Sequence, residues 1–219
     1  MDETSAARAP TRREGRTDLA IQGAGLVFSL IGSILLLVRA GMAADGMALA
    51  AVAAYGAALL AMFSFSILNA AARTQKRKNI FNALDHAAIF ALIAGTYTPF
   101  CLLAAGGSLG MILLIVLWSA AILGIMARFL LRRWLTQASI TLYVLMGWAG
   151  IAAAPQLLGQ MSVLGSGLIV AGGVIYSAAA PLYRLTRLRY HSAAWHGCVI
   201  AAALCHYLAV LIVLDDYLA

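Results

Sequence analysis

The chain has 219 residues, of which 63% are apolar and 11% charged, and a net charge of +7. Soluble domains carry nearer 25% charged residues. Here the charges are clustered, leaving uncharged stretches that each match the roughly 20 residues needed to cross a bilayer. Continuous apolar runs exclude a membrane β-barrel, whose strands alternate apolar and polar residues. Basic residues confined to short loops argue against nucleic acid as a partner and for membrane orientation and contact with anionic headgroups.

Residues 1–18 are polar and rich in Arg, Glu, Thr and Ala, and read as a disordered, basic cytosolic tail. The apolar run that follows, Leu19–Val38, is too long for a signal-peptide core and reads as a retained first span. Residues 19–219 read as one membrane domain with spans at about 19–38, 47–70, 84–105, 109–131, 139–158, 162–183 and 194–214. The expected fold is all-α, a polytopic seven-transmembrane-helix bundle. Fourteen of the 15 Lys and Arg residues then fall on one side, in the tail and in the second, fourth and sixth loops. Arg39 stands alone on the other side, where the C-terminal tail carries Asp215 and Asp216. The positive-inside rule places the N-terminus in the cytosol and the C-terminus outside. The protein is expected to be integral and multi-pass, in the inner (plasma) membrane if bacterial. Cys101, Cys198 and Cys205 all fall inside spans and read as small buried apolar residues.

Polar residues gather at the cytosolic ends of three spans. Ser66 and Asn69 are three apart and share a face at the end of the second span. Asp85 lies about one turn into the third span and His196 about one turn into the seventh. Ionisable groups inside a membrane are costly and mark functional sites by default. Each also has a structural reading: Ser66 bonding back to a carbonyl, Asn69 bridging helices, Asp85 capping the third helix. Deeper in lie Thr96, eleven residues past Asp85 and near the same face, Tyr97 beside it, and His206, ten residues past His196. They would extend a polar track toward the midplane, or serve as helix–helix hydrogen bonds and a packed histidine. His86 and His191 adjoin basic loops, where solvation is the simpler reading, and Pro99 reads as a kink.

Asp85-His86, Ile89-Phe90 and Leu92-Ile93-Ala94-Gly95-Thr96-Tyr97-Thr98-Pro99-Phe100 resemble the third-span signature of the hemolysin III family. Trp195-His196, Val199 and Cys205-His206-Tyr207 resemble its seventh-span signature. That family is grouped with the progestin and adipoQ receptors and, more widely, with alkaline ceramidases. The resemblance implies seven spans with the N-terminus inside. It also implies a site with Ser and, four residues on, His in the second span, Asp in the third and His-x-x-x-His in the seventh. Three imidazoles would hold zinc there and leave a position for an activated water.

Asp85, His196 and Ser66 match that pattern, but Ala70 and Ser192 stand where two of its histidines would be. His191 is five residues from His196, and only a π-bulge near Ser192 would bring the two onto one metal. Zinc is otherwise expected only in another arrangement, through His196 with Asp85, His206 or His86. Three functions follow. One is a lipid amide hydrolase at the cytosolic leaflet with an atypical or lost zinc site. In it Asp85 is the base or water-orienting group, His196 the surviving metal ligand, and Ser66 or Asn69 the oxyanion partner. The second is a non-enzymatic protein that binds membrane lipid and senses membrane state. The third is the cytolytic pore of the family's name.

Overall fold

The computed structural model describes residues 11–130, 135–153 and 159–219. Among them every regular element is helical. The helices are α1 (Arg12–Met42), α2 (Gly46–Ala71), α3 (Gln75–Pro99), α4 (Gly107–Leu130), α5 (Leu135–Gly147), α6 (Val163–Ala179) and α7 (His191–Leu218). Six are long and apolar enough to cross a membrane, and α5 is shorter. Exposed Val27, Ile112, Ile115 and Leu123 cover the outside as lipid-facing side chains would. The chain is a polytopic helical membrane protein.

Helix α1 inverts the usual amphipathic rule. Its buried residues include Gln22, Gly25, Ser29, Gly32 and Leu36, at helical spacing, while Val27, Leu30, Ile31 and Leu35 are exposed. Lipid solvates the apolar face, so the small and polar face is the one that packs. At Gly25 a Cβ would meet the Phe63 ring at 2.2 Å, so only glycine lets α1 approach α2 this closely. Helix α2 packs on α1 and α3, α3 on α4, α6 on α7, and α7 closes onto α1.

Two contacts fix the α1–α7 pairing. Glu14 accepts from the Tyr190 backbone N–H (3.1 Å) at the start of both helices, and Arg39 pairs with Asp215 (3.0 Å) at their far ends. The helices therefore run parallel.

Three boundaries differ from the sequence reading. Helix α1 begins at Arg12, so residues 12–18 of the expected disordered tail are helical. Thr11 and Glu14 form a capping box: the Thr11 hydroxyl accepts from the Glu14 N–H (3.3 Å) and Glu14 accepts from the Thr11 N–H (2.7 Å). Residues 1–10 lie outside the described residues. Helix α3 begins at Gln75, capped by Thr74, so Asp85 sits ten residues inside it and is no cap. The fifth span, read as 139–158, is helical only to Gly147 and then tightens into a 3₁₀ turn at Ala149–Ala153; residues 154–158 lie outside the described residues. Past Pro99, α3 widens into π-helical turns at Phe100–Ala105, the local disturbance expected where proline removes a ladder hydrogen bond.

Candidate functional site

The capping box of α1 and the clasp of Glu14 on Tyr190 set the first turns of α1 against the first turns of α7. That contact delivers Asp18, on α1, to His196, on α7. The Asp18 Oδ1 lies 2.6 Å from the His196 Nδ1. Its other oxygen, Oδ2, accepts from the Gln22 amide (3.0 Å), one turn along α1, and from the Ser192 hydroxyl (2.9 Å), one turn before His196 on α7. Gln22 Nε2 also stands 3.2 Å from His196 Nδ1. Both face one carboxylate, an arrangement that suits a neutral imidazole carrying its proton at Nδ1 and its lone pair at Nε2.

The ring's other edge faces α2, where the Ser66 hydroxyl lies 3.2 Å from Nε2. Ser66 is also a hydrogen-bonding neighbour of Asp85, which accepts from the Asn69 amide at 3.0 Å. Asp85, Asn69, Ser66 and His196 thus meet as the sequence reading expects. The cluster lies at the end of the bundle opposite the Arg39–Asp215 pair. Asp18 and His196 retain side-chain exposures of only 13% and 14%, which places them at the rim of a largely covered site.

Two amides in this cluster are unbalanced. Gln22 and Asn69 each give their NH₂ to a carboxylate, which fixes how each amide is turned. Their carbonyl oxygens, Gln22 Oε1 and Asn69 Oδ1, are buried and have no partner among the described residues. Such orphaned acceptors are rare in folded proteins and invite a donor from outside the chain.

The deeper residues do not join the cluster. The Thr96 hydroxyl bonds back to the Leu92 carbonyl (2.7 Å). The Tyr97 hydroxyl donates to the Gly147 carbonyl (2.6 Å) and accepts from the Gly150 N–H (2.9 Å), stitching α3 to the break after α5. His206 donates to the Ile169 carbonyl (3.2 Å) and packs on Gly172. His86 donates to the Asn82 carbonyl (2.8 Å), and the Tyr143 hydroxyl donates to the His86 carbonyl (3.0 Å). Tyr97, Tyr143 and His206 join neighbouring elements, whereas Thr96 and the His86 ring bond one turn back within α3. The continuous track from the inner surface to the midplane is not formed by them.

The donor set does not fit a three-imidazole zinc site. His196 is the one imidazole in the cluster, and both of its nitrogens are engaged. Ala70 is exposed on α2. Ser192 sits where the pattern would put a histidine and anchors Asp18 instead. Helix α7 is regular from His191 onward, so no bulge turns His191 toward His196. Among the described residues no group of three or more His, Cys, Asp or Glu side chains is arranged to hold a metal.

The profile of the family described as "Haemolysin-III related" matches residues 20–207. The chain belongs to this family. It is 34% identical over 189 residues to the "Hemolysin-3" of Bacillus cereus, covering 86% of each chain. It is 30% identical over 201 residues to the "Hemolysin-3 homolog" of Bacillus subtilis (strain 168), covering 92% of this chain and 94% of the relative. The family match begins at residue 20. Asp18, at the end of the polar segment that precedes the first apolar run, lies just before it. The signals that point to Asp18 are local: Thr11 and Glu14 at capping-box spacing, and Asp18, Gln22, Gly25 and Ser29 on one helical face.

Proposed function

We propose that this hemolysin III family member is a membrane-embedded hydrolase that cleaves a lipid amide at the cytosolic leaflet. The observation that carries this reading is His196, held at Nδ1 by a carboxylate with its basic Nε2 aimed at a hydroxyl. An imidazole so oriented is a general base. The two orphaned amide oxygens suit a substrate that brings N–H or O–H donors, as a lipid amide does. Asp85 receives Asn69 and holds the α2 side of the site. No step requires a metal.

Seven spans with the N-terminus inside accompany this reading. Parallel α1 and α7 are what an odd number of crossings produces, and the basic loops then face the cytosol and its anionic headgroups. In a bacterial cell the membrane is the inner, plasma membrane.

The test uses the full-length protein in nanodiscs, incubated with a panel of N-acylated lipids and acyl esters after dialysis against chelator. The expected result is fatty-acid release from the amides, lost in His196→Gln and retained after chelation. A purified, folded protein that releases no fatty acid from any lipid amide refutes the reading. The orphaned acceptors also support lipid binding without turnover: a lipid retained in native mass spectrometry, released by Asn69→Leu and never cleaved, selects that alternative. Cytolysis, the activity in the relatives' names, requires dye leakage from liposomes carrying the purified protein.

A further inference from the structure

We infer that Asp18, His196 and Ser66 form a nucleophilic triad assembled from three membrane helices, with Ser66 attacking the substrate to give a covalent acyl-enzyme. The inference rests on the hydrolase reading above and names the nucleophile within it.

The geometry has the required order. The acid lies on Nδ1 at 2.6 Å and the hydroxyl on Nε2 at 3.2 Å, so carboxylate, imidazole and hydroxyl lie in series. Triads are recognised by this arrangement of roles, whatever the fold or chain order. Three features separate it from an incidental contact. First, Asp18 is itself fixed by Gln22 and Ser192, so its approach to the ring is set by other helical residues. Second, Ser66 is buried and its hydroxyl faces the imidazole, with Asp85 beside it, and not a carbonyl one turn back. Third, Ser192 occupies the position of a zinc histidine in the wider pattern and anchors the acid that orients His196.

The reaction balances with amide and water alone. Ser66 gives its hydroxyl proton to His196 Nε2 as Oγ bonds to the acyl carbon. The imidazolium is stabilised by Asp18, which stays ionised and keeps its bond from Nδ1–H. The amide C–N bond then breaks, and Nε2–H passes its proton to the leaving amine. A water takes its place, loses a proton to Nε2 and attacks the acyl carbon. The acyl C–Oγ bond breaks, Nε2–H returns its proton to Ser66 Oγ, and the fatty acid leaves. Asn69, one turn from Ser66, has a second N–H beyond the one Asp85 holds, and that N–H is the donor for the oxyanion. Asp85 is then a positioning residue: it acts through Asn69.

A fluorophosphonate probe tests this without knowledge of the lipid. The full chain in nanodiscs is treated with the probe, and the adduct is located by intact mass and peptide mapping. One adduct is expected, on Ser66, unchanged by chelator and absent in Ser66→Ala. Asp18→Asn is expected to slow labelling by about 10³- to 10⁴-fold, the scale on which triads depend on their acid, while helix content and monodispersity stay as in the parent. Folded protein that carries no adduct, or labels at the parent rate with Asp18→Asn, overturns the triad. Lipid-amide hydrolysis without an adduct overturns the triad and leaves the hydrolase reading. An adduct on Ser66 without amide hydrolysis supports the triad and removes the amide as substrate.

Discussion

Removing the carboxylate of Asp18 should cost far more stability than removing the amide of Gln22, although the two are partners. Asp18 accepts three side-chain hydrogen bonds, from His196, Gln22 and Ser192. In Asp18→Ala all three donors lose their acceptor. A donor left unsatisfied in a buried place costs about 1–3 kcal/mol, which gives about 3–9 kcal/mol for three. The site keeps a little exposure, 13% at Asp18 and 14% at His196, so water recovers part of that. About 2–6 kcal/mol is expected to remain. In Gln22→Met one hydrogen bond to a carboxylate is lost, worth about 1.5–3 kcal/mol. The same change removes the orphaned Oε1, whose burial costs about 1–3 kcal/mol. The two nearly offset, so Gln22→Met should lie within about 1 kcal/mol of the parent. The assay is equilibrium unfolding in mixed detergent micelles, followed by far-UV circular dichroism. Equal destabilisation by the two substitutions, or a larger effect from Gln22→Met, would refute Asp18 as the hub of the cluster.

Tyr97→Phe removes one donated and one accepted hydrogen bond at the break after α5; a loss of about 1–3 kcal/mol is expected in the same unfolding assay, with fluorophosphonate labelling unchanged. Gly172→Val puts a side chain where a Cβ alone already meets the His206 ring at 2.4 Å, so a loss of about 1–3 kcal/mol or more and reduced yield of folded protein are expected, partly rescued by His206→Ala. Arg39→Gln removes an exposed ion pair and should change stability by no more than about 1 kcal/mol, with the difference vanishing at high salt, as read from melts at two ionic strengths.

The polytopic helical membrane architecture was legible because bilayer length is a strong constraint. The meeting of Asp85, Asn69, Ser66 and His196 was legible for a related reason: polar groups at one depth on neighbouring spans are costly unless they face one another. Asp18 was not legible from hydropathy. Arg12, Arg13, Glu14 and Arg16 make the segment before it read as solvated tail, whereas the Thr11–Glu14 capping box makes it the first turns of α1. The small and polar face of α1 carried the information, since in lipid that face is the one that packs. For Thr96, Tyr97 and His206 the choice between a polar track and structural hydrogen bonds was not legible. Helical spacing gives height and angle, but not whether a hydroxyl turns to its own carbonyl, as Thr96 does, or a ring meets the neighbouring helix, as His206 does.

The position of the proton on His196 is the decisive observable. With ¹⁵N-labelled histidine in the full-length protein in nanodiscs, the four imidazoles are assigned by single substitution, and Nδ1 and Nε2 are distinguished by their nitrogen shifts. A strongly downfield Nδ1–H is expected on His196, persisting in Ser66→Ala and lost in Asp18→Ala, with Nε2 unprotonated. A proton on Nε2 of neutral His196, or an Nδ1–H signal indifferent to Asp18, would contradict it.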